Sequence, residues 1–300
     1  MVLCHISHGD AKEFQRPLLW RLKLYTPRRY HRYIREAQKF LGLVLLCMMR
    51  ISADTIRTVF GILGNGTALV LFFSPAPTFR RIWKSGSVEQ FHATPYLATL
   101  LNCMFWILYG LPMVHPHSTL VLTINGSGLV IELTYVIIFL LYSERNQRLR
   151  VLLVLIIEIL FVGAVAAIVL TIVHGYVRRS LVVGVLCVIF GTLMYASPLS
   201  VMKQVIETKS VEFMPLFLSL ASFFNGICWT IYALIRFDLF ITIPNGLGVA
   251  FAVGQLILYM MYRGSTVQQM KERKQKMEMG LVNTNGSLKD DLENGTKIGN

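Results

Sequence analysis

The sequence predicts an all-α integral membrane protein with seven transmembrane helices, arranged as two parallel three-helix repeats joined by a linker helix. Three observations carry this. Hydrophobic residues make up 54% of the 300 positions and charged residues only 15%, with a mean hydropathy of +0.56, too apolar for a soluble domain of this length. The apolar runs are each about 20 residues, enough to cross a hydrocarbon core of roughly 30 Å as helices and too long for barrel strands. One segment of the chain also occurs twice. Ser197-Pro198, Ser210-Val211-Glu212, Trp229 and Tyr232 match Ser74-Pro75, Ser87-Val88-Glu89, Trp106 and Tyr109, every pair separated by 123 positions. A constant offset across such residues marks a unit built twice, and it directs the search for function to the space between the copies.

The chain opens with an extension, residues 1–55. Its first 50 positions carry ten Lys or Arg against three acids, Asp10, Glu13 and Glu36, and residues 40–49 form an apolar run of about half a membrane span. The run has the character of a targeting h-region, but the basic stretch before it is long and shows no small-residue cleavage pattern. Seven spans follow, near residues 58–79, 94–114, 119–142, 151–173, 180–202, 214–235 and 239–262, placed by apolar length and flanking charge. The first three form one repeat (56–142), the fourth lies in the linker (143–178) and the last three form the second repeat (179–263). Two three-span units joined directly would face opposite ways, and one extra crossing makes them parallel. Residues 264–300 are polar and mixed, the composition of a disordered tail.

Loop charge sets the expected orientation. Arg80, Arg81 and Lys84 follow the first span, Arg145, Arg148 and Arg150 the third, Lys203 and Lys209 the fifth, and Arg263 with Lys271, Arg273, Lys274 and Lys276 the seventh. The opposite loops hold only Arg178, Arg179 and Arg236. The positive-inside rule then puts the C-terminus in the cytosol and the start of the first span outside. That leaves the basic extension on the wrong side. It is translocated regardless, or removed, or translation begins near Met48 or Met49, which is the favoured reading. Without its first 50 residues the chain has 19 basic against 13 acidic residues, a net charge of +6 instead of +13. The positive charge is therefore read as topogenic, with the bilayer as partner and no nucleic acid. Cys4, Cys47, Cys103, Cys187 and Cys228 show no paired spacing, against a disulfide framework or metal site.

With these residues in view, the chain resembles the SWEET sugar transporters over about residues 56–263. The resemblance rests on Thr123-Ile124-Asn125-Gly126, Tyr195-Ala196-Ser197-Pro198-Leu199-Ser200, Lys209-Ser210-Val211-Glu212-Phe213-Met214-Pro215, the two Trp-x-x-Tyr endings and the second Asn-Gly pair, Asn245-Gly246. These phrases are similar to the plant branch. The resemblance implies a facilitative, bidirectional carrier of monosaccharides that is not an enzyme, needs no cofactor, works by alternating access and assembles as a homo-oligomer. It also implies a plasma-membrane location, with the vacuolar membrane as the alternative.

The resemblance assigns roles to particular residues. Pro75, Pro95, Pro198 and Pro215 match the family's proline tetrad, and proline bends a helix by removing a hydrogen bond and crowding the preceding turn. A fixed kink needed only for packing is the alternative. Asn125 and Asn245 sit mid-span, where an amide that both donates and accepts suits a sugar hydroxyl. Interhelical bonding is the bland reading. Trp229 matches the pocket tryptophan and Trp106 is its repeat partner, with an interfacial ring as the alternative for Trp106. Asn102 and Asn225 stand one turn before the indoles on the same face. Leu71, Met194, Asn102 and Asn225 are bulkier than the residues of sucrose-carrying relatives, which implies a single-ring substrate. Tyr109 and Asp238 match an outer gate, although Asp238 also reads as a solvated loop residue, and Ala233 replaces a frequent Gly after the second tyrosine. Glu132 and Glu158, the acids deepest in apolar runs, are read as hydrogen-bonded structural groups rather than proton carriers.

A seven-span receptor would lack the three-span repeat. An intramembrane enzyme would need a nucleophile with its base or a His-Glu-x-x-His cluster, and the seven histidines are scattered.

Overall fold

A computed structural model describes the backbone of residues 27–296, with side chains described over residues 53–279 and at several positions between 35 and 43. The expectations for residues 1–26 lie outside the described residues, as does the reading of an internal translation start. The helices are α1 (Pro27–Phe73), α2 (Ala76–Ser85), α3 (Thr94–Gly110), α4 (Thr119–Tyr142), α5 (Arg145–Thr171), α6 (Tyr176–Leu193), α7 (Ala196–Thr208), α8 (Leu216–Ile235) and α9 (Leu239–Thr296). The chain divides into two compact units, Met1–Thr55 and Ile56–Asn300. In the first, Lys39 and Glu36 form an exposed pair at 3.1 Å across one helical turn. The second contains both copies of the repeated segment.

Among the described residues six helical stretches are long and apolar enough to cross a membrane: Ala53–Ser85, Thr119–Tyr142, Arg145–Thr171, Tyr176–Thr208, Leu216–Ile235 and Leu239–Met279. The remaining expected span, 94–114, is helical only over the 17 residues of α3, at the short end of the roughly 17–25 that reach across a bilayer. It stops early because Leu111 precedes Pro112. The ring of a following proline disfavours helical backbone, and Leu111 is extended, with φ −62° and ψ 137°.

Proline also divides two spans expected as single helices. The N–H that would bond the carbonyl of Leu71 is missing at Pro75, and the one for Met194 is missing at Pro198. Each stranded carbonyl is taken up by a tighter bond one residue earlier, from Ser74 N–H at 3.1 Å and from Ser197 N–H at 3.4 Å. The chain turns there, between α1 and α2 and between α6 and α7. Pro95 and Pro215 stand elsewhere, in the first turn of α3 and at the N-cap of α8. At a helix start the missing donor has no intrahelical partner to lose, so these two begin helices and do not bend them.

The stretch expected to be disordered differs from that expectation, since α9 continues through residue 264 to Thr296. Composition alone misjudged it. Residues 265–279 contain no proline, Gln268 Nε2 donates to Glu272 at 3.2 Å and Lys274 faces Glu278 at 3.9 Å, i,i+4 pairs that favour helix. The Thr266 hydroxyl accepts the Val211 N–H at 2.8 Å and Arg273 reaches Glu212 at 3.0 Å, so this stretch is also tied to the loop before α8.

Two helical hairpins organise the second unit, α3 with α4 and α8 with α9. Helix α6 touches both α3 and α9 and so lies on the seam between the copies, while α5 packs on α3. The seam holds the main apolar core, where Phe105, Tyr109 and Val121 of the first copy meet Val183, Tyr232 and Ile241 of the second. Small residues permit close approach there. A Cβ on Gly226 would lie 3.2 Å from the Asn245 carbonyl and 2.8 Å from Val249 Cγ2, so glycine sets the distance between α8 and α9.

Candidate functional site

A cavity of about 260 Å³ opens on this seam. Seven of the eight residues expected to bind substrate line it: Asn102, Trp106 and Asn125 from the first copy, Met194, Asn225, Trp229 and Asn245 from the second. Leu71 is the exception. It lines a neighbouring cavity of about 170 Å³, which also touches Asn225 and Asn245.

The two central amides are held alike. Asn125 Nδ2 donates to the Val121 carbonyl at 2.9 Å and Asn245 Nδ2 to the Ile241 carbonyl at 2.8 Å, each one turn back on its own helix. One N–H is thereby spent on fixing the side chain, leaving a second N–H and the amide oxygen available to the cavity. Asn225 is joined to the first copy, its Oδ1 lying 3.2 Å from the Thr67 hydroxyl that donates to it. Asn102 Oδ1 is buried and has no hydrogen-bond partner among the described residues. An acceptor in that condition is costly in a low-dielectric interior and calls for a donor from outside the protein.

Flat apolar surface completes the lining. Trp106 meets Tyr109 edge to face at 5.5 Å and Trp229 meets Tyr232 in the same way at 5.1 Å. Gly64 makes room for the Trp229 indole, since a Cβ there would lie 2.9 Å from Nε1. Indoles beside amides can stack on the C–H face of a ring whose hydroxyls bond to those amides.

Tyr109 and Asp238, expected as an outer gate, meet on this seam. The Tyr109 hydroxyl donates to the Asp238 carboxylate, 2.9 Å from each oxygen, with both residues buried. Asp238 also accepts the backbone N–H groups of Phe240 at 3.0 Å and Ile241 at 3.2 Å, which makes it a capping residue at the start of α9. Sequence reasoning placed this pair but missed what surrounds it. His115 stacks on the Tyr109 ring at 4.6 Å and directs Nε2 to Asp238 at 3.2 Å. Arg57 lies 3.9 Å over the Tyr232 ring and donates to the His117 carbonyl at 2.9 Å, so each repeated tyrosine carries a basic side chain on its face. His115 stands 123 positions before Asp238, and that offset was the signal that could have found it. Ala233, beside Tyr232, is fully buried and its carbonyl accepts the Asp238 N–H at 2.9 Å, so the extra methyl group is accommodated.

Among the expected hinges, Pro198 borders the smaller cavity and Pro75 divides α1 from α2. Tyr195 was quoted within a motif without a role. It lines both cavities and donates its hydroxyl to the carbonyl of Pro244, a proline inside α9 that has no counterpart at Ile124. Glu132 and Glu158 are buried, and each keeps one oxygen without a partner among the described residues. No hydrogen bond to either carboxylate is seen among the described residues, so the expectation of hydrogen-bonded structural groups is not met there.

Known proteins share this sequence and fold. The family described as "sugar efflux transporter for intercellular exchange" matches twice, over residues 58–147 and 181–267. The bidirectional sugar transporter SWEET4 of rice (Oryza sativa subsp. japonica) is 69% identical over 226 residues, covering 75% of this chain and 87% of its own length. The bidirectional sugar transporter SWEET7 of Arabidopsis thaliana is 54% identical over 221 residues, covering 73% and 86%. The solved structure of a eukaryotic SWEET transporter is 38% identical, with a TM-score of 0.69 over 71% of this chain and 99% of that one.

Proposed function

Because the chain belongs to the family of sugar efflux transporters for intercellular exchange, we propose that it is a bidirectional facilitator that moves monosaccharides across a membrane by alternating access. The observation that carries this reading is the pair of amides, Asn125 and Asn245, each anchored to its own helix and lining one cavity between the repeats together with Trp106 and Trp229. A sugar ring there exchanges hydroxyl hydrogen bonds with the amides, satisfies Asn102 Oδ1 and stacks on an indole. The Tyr109–Asp238 bond closes one end, and rocking about the turns at Pro75 and Pro198, with Pro95 and Pro215 at the starts of α3 and α8, opens one end as the other shuts. No energy source enters, so net flux follows the sugar gradient.

The basic loops support a cytosolic proline end, which turns Tyr109 and Asp238 outward. A plasma-membrane location and homo-oligomeric assembly belong to the same reading. Uptake of labelled glucose, fructose, galactose and sucrose in cells lacking their own carriers tests it. Hexose uptake lowered about tenfold in Asn125→Ala and in Asn245→Ala is the expected result. Uptake that leaves the variants unaffected, or that dissipates a pH gradient in step with the sugar, would refute it.

A further inference from the structure

The smaller cavity, about 170 Å³, lies on the Pro198 side of Asn225 and Asn245 and is bounded by Leu71, Tyr195, Pro198, Ser222, Phe251 and Gln255. Its volume far exceeds the roughly 10–15 Å³ that one water needs. Gln255 is ten residues beyond Asn245 on α9, about 15 Å along the helix axis. Ser222 precedes Asn225 by one turn of α8. Among the described residues, the Ser222 hydroxyl and the Gln255 amide have no hydrogen-bond partner in the protein. Two such groups on adjoining membrane helices, open to a shared cavity, have their bonding capacity turned toward whatever enters it.

The first copy shows that this space is a departure from the repeat. Tyr135 stands 120 positions before Gln255, Phe79 stands 123 before Met202 and Tyr96 stands 120 before Leu216. In the first copy those three rings pack together. Phe79 stacks on Tyr135 at 4.3 Å and meets Tyr96 edge-on at 4.7 Å, and the Tyr135 hydroxyl donates to the Phe72 carbonyl at 3.2 Å. The second copy replaces three rings with a thioether, an aliphatic chain and an amide. Met202 moves away onto α9, where its methyl group would lie 2.9 Å from a Cβ on Gly254. The three-ring cluster of the first copy thus has no equivalent in the second, where a recess stands beside the Tyr195–Phe251 ring pair and holds Ser222 and Gln255.

We propose that this recess is a second sugar-binding site, a station for one hexose between the central cavity and the Pro198 end, with the Gln255 amide and the Ser222 hydroxyl as its hydrogen-bonding groups. It rests on the carrier reading and adds a direction to it, because the sugar leaves or enters the proline end along the second repeat. The two sites share Asn225, Asn245 and Tyr195, so a ring passes from one to the other without giving up every bond at once.

The test is flux of glucose and of each monodeoxyglucose through the full chain in proteoliposomes, for wild type, Gln255→Leu and Ser222→Ala. Gln255→Leu should slow glucose about fivefold, the worth of one neutral hydrogen bond, and should leave at least one monodeoxyglucose almost unslowed, because that sugar has no hydroxyl for Gln255 to lose. Ser222→Ala should show the same dependence on a particular hydroxyl. Equal slowing of every sugar would assign both residues to the motion of the helices and overturn the proposal, as would wild-type flux in both variants. If Gln255→Leu fails to insert, Ser222→Ala decides by the same criterion. A wild-type chain that moves none of these sugars overturns the carrier reading itself, and is told apart because no flux remains to compare.

Discussion

His115 and Asp238 face each other at 3.2 Å, Nε2 to Oδ2, beside the Tyr109 ring. The imidazole lies on Tyr109, whose hydroxyl bonds to the same carboxylate, and its Nδ1 lies 3.0 Å from the Ser180 hydroxyl, which donates to the Val114 carbonyl at 2.6 Å. Three segments therefore meet on one histidine: the loop after α3, the start of α6 and the start of α9.

Burial holds the His115 pKa below the usual histidine value. The Asp238 carboxylate opposes that shift, and Arg57 and His117 add to it. With the folded value below the unfolded one, His115 contributes stability that is present above the unfolded pKa of about 6.5 and is lost as pH falls through the folded value. His115→Gln should accordingly destabilise the purified protein at about pH 7.5 and cost less at about pH 5. Melting temperatures of the two proteins across that range provide the check, and a difference that does not change with pH would count against the assignment.

Gly64→Ala tests whether the Trp229 position matters to binding. The added methyl group would lie 2.9 Å from Nε1 and 3.0 Å from Cε2 of a rigid indole, so the ring must move. Overpacking of this kind costs about 1–3 kcal/mol. The expected result is a several-fold higher KM for hexose with a shifted tryptophan emission and normal insertion. Unchanged KM with shifted emission would show that the ring can move without consequence.

Much of this was legible because the repeat is written in residues that seldom change place by accident. Pro75, Pro198, Trp106 and Trp229 carried both the architecture and the expected lining of the cavity. The proline turns were visible too, but whether Pro95 and Pro215 bend a helix or begin one depends on where the preceding loop ends, which hydropathy does not mark. The helical stretch after residue 264 was missed because its support is pairwise and tertiary: Lys274 with Glu278, and Thr266 with Val211. His115 was passed over as one of several scattered histidines, since its role needs the fold to bring residues 115 and 238 together. The recess at Gln255 could be seen only by asking where the copies differ, once the rings around Tyr135 were known to be packed.

The two central amides should be equivalent in kind. Asn125→Ala and Asn245→Ala each remove a donor and an acceptor while sparing the helix, since the bond each makes to its own backbone is not part of the helical ladder. Each change should lower kcat/KM for hexose about tenfold, roughly the effect of losing two modest hydrogen bonds. If the same sugar bonds both, the double variant should lose less than the product of the single losses. Purely multiplicative losses in a double-mutant cycle would mean that the amides act separately.

Leu71 and Met194 are repeat partners, each four residues before the proline that divides its helix and each with its carbonyl bonded by the N–H three residues on. Their side chains therefore sit where the wall of the pathway turns, Leu71 in the smaller cavity and Met194 in the central one. Trimming both to valine adds space at that turn without adding a polar group. A methylene is worth about 1–3 kcal/mol in discrimination, so Leu71→Val with Met194→Val should permit measurable sucrose flux while hexose flux persists. Single variants should give less than the pair, because a second ring must clear both walls. Sucrose uptake that stays at background in the double variant, with hexose uptake intact, would place the size filter elsewhere, and Asn102 and Asn225 would be the next residues to reduce.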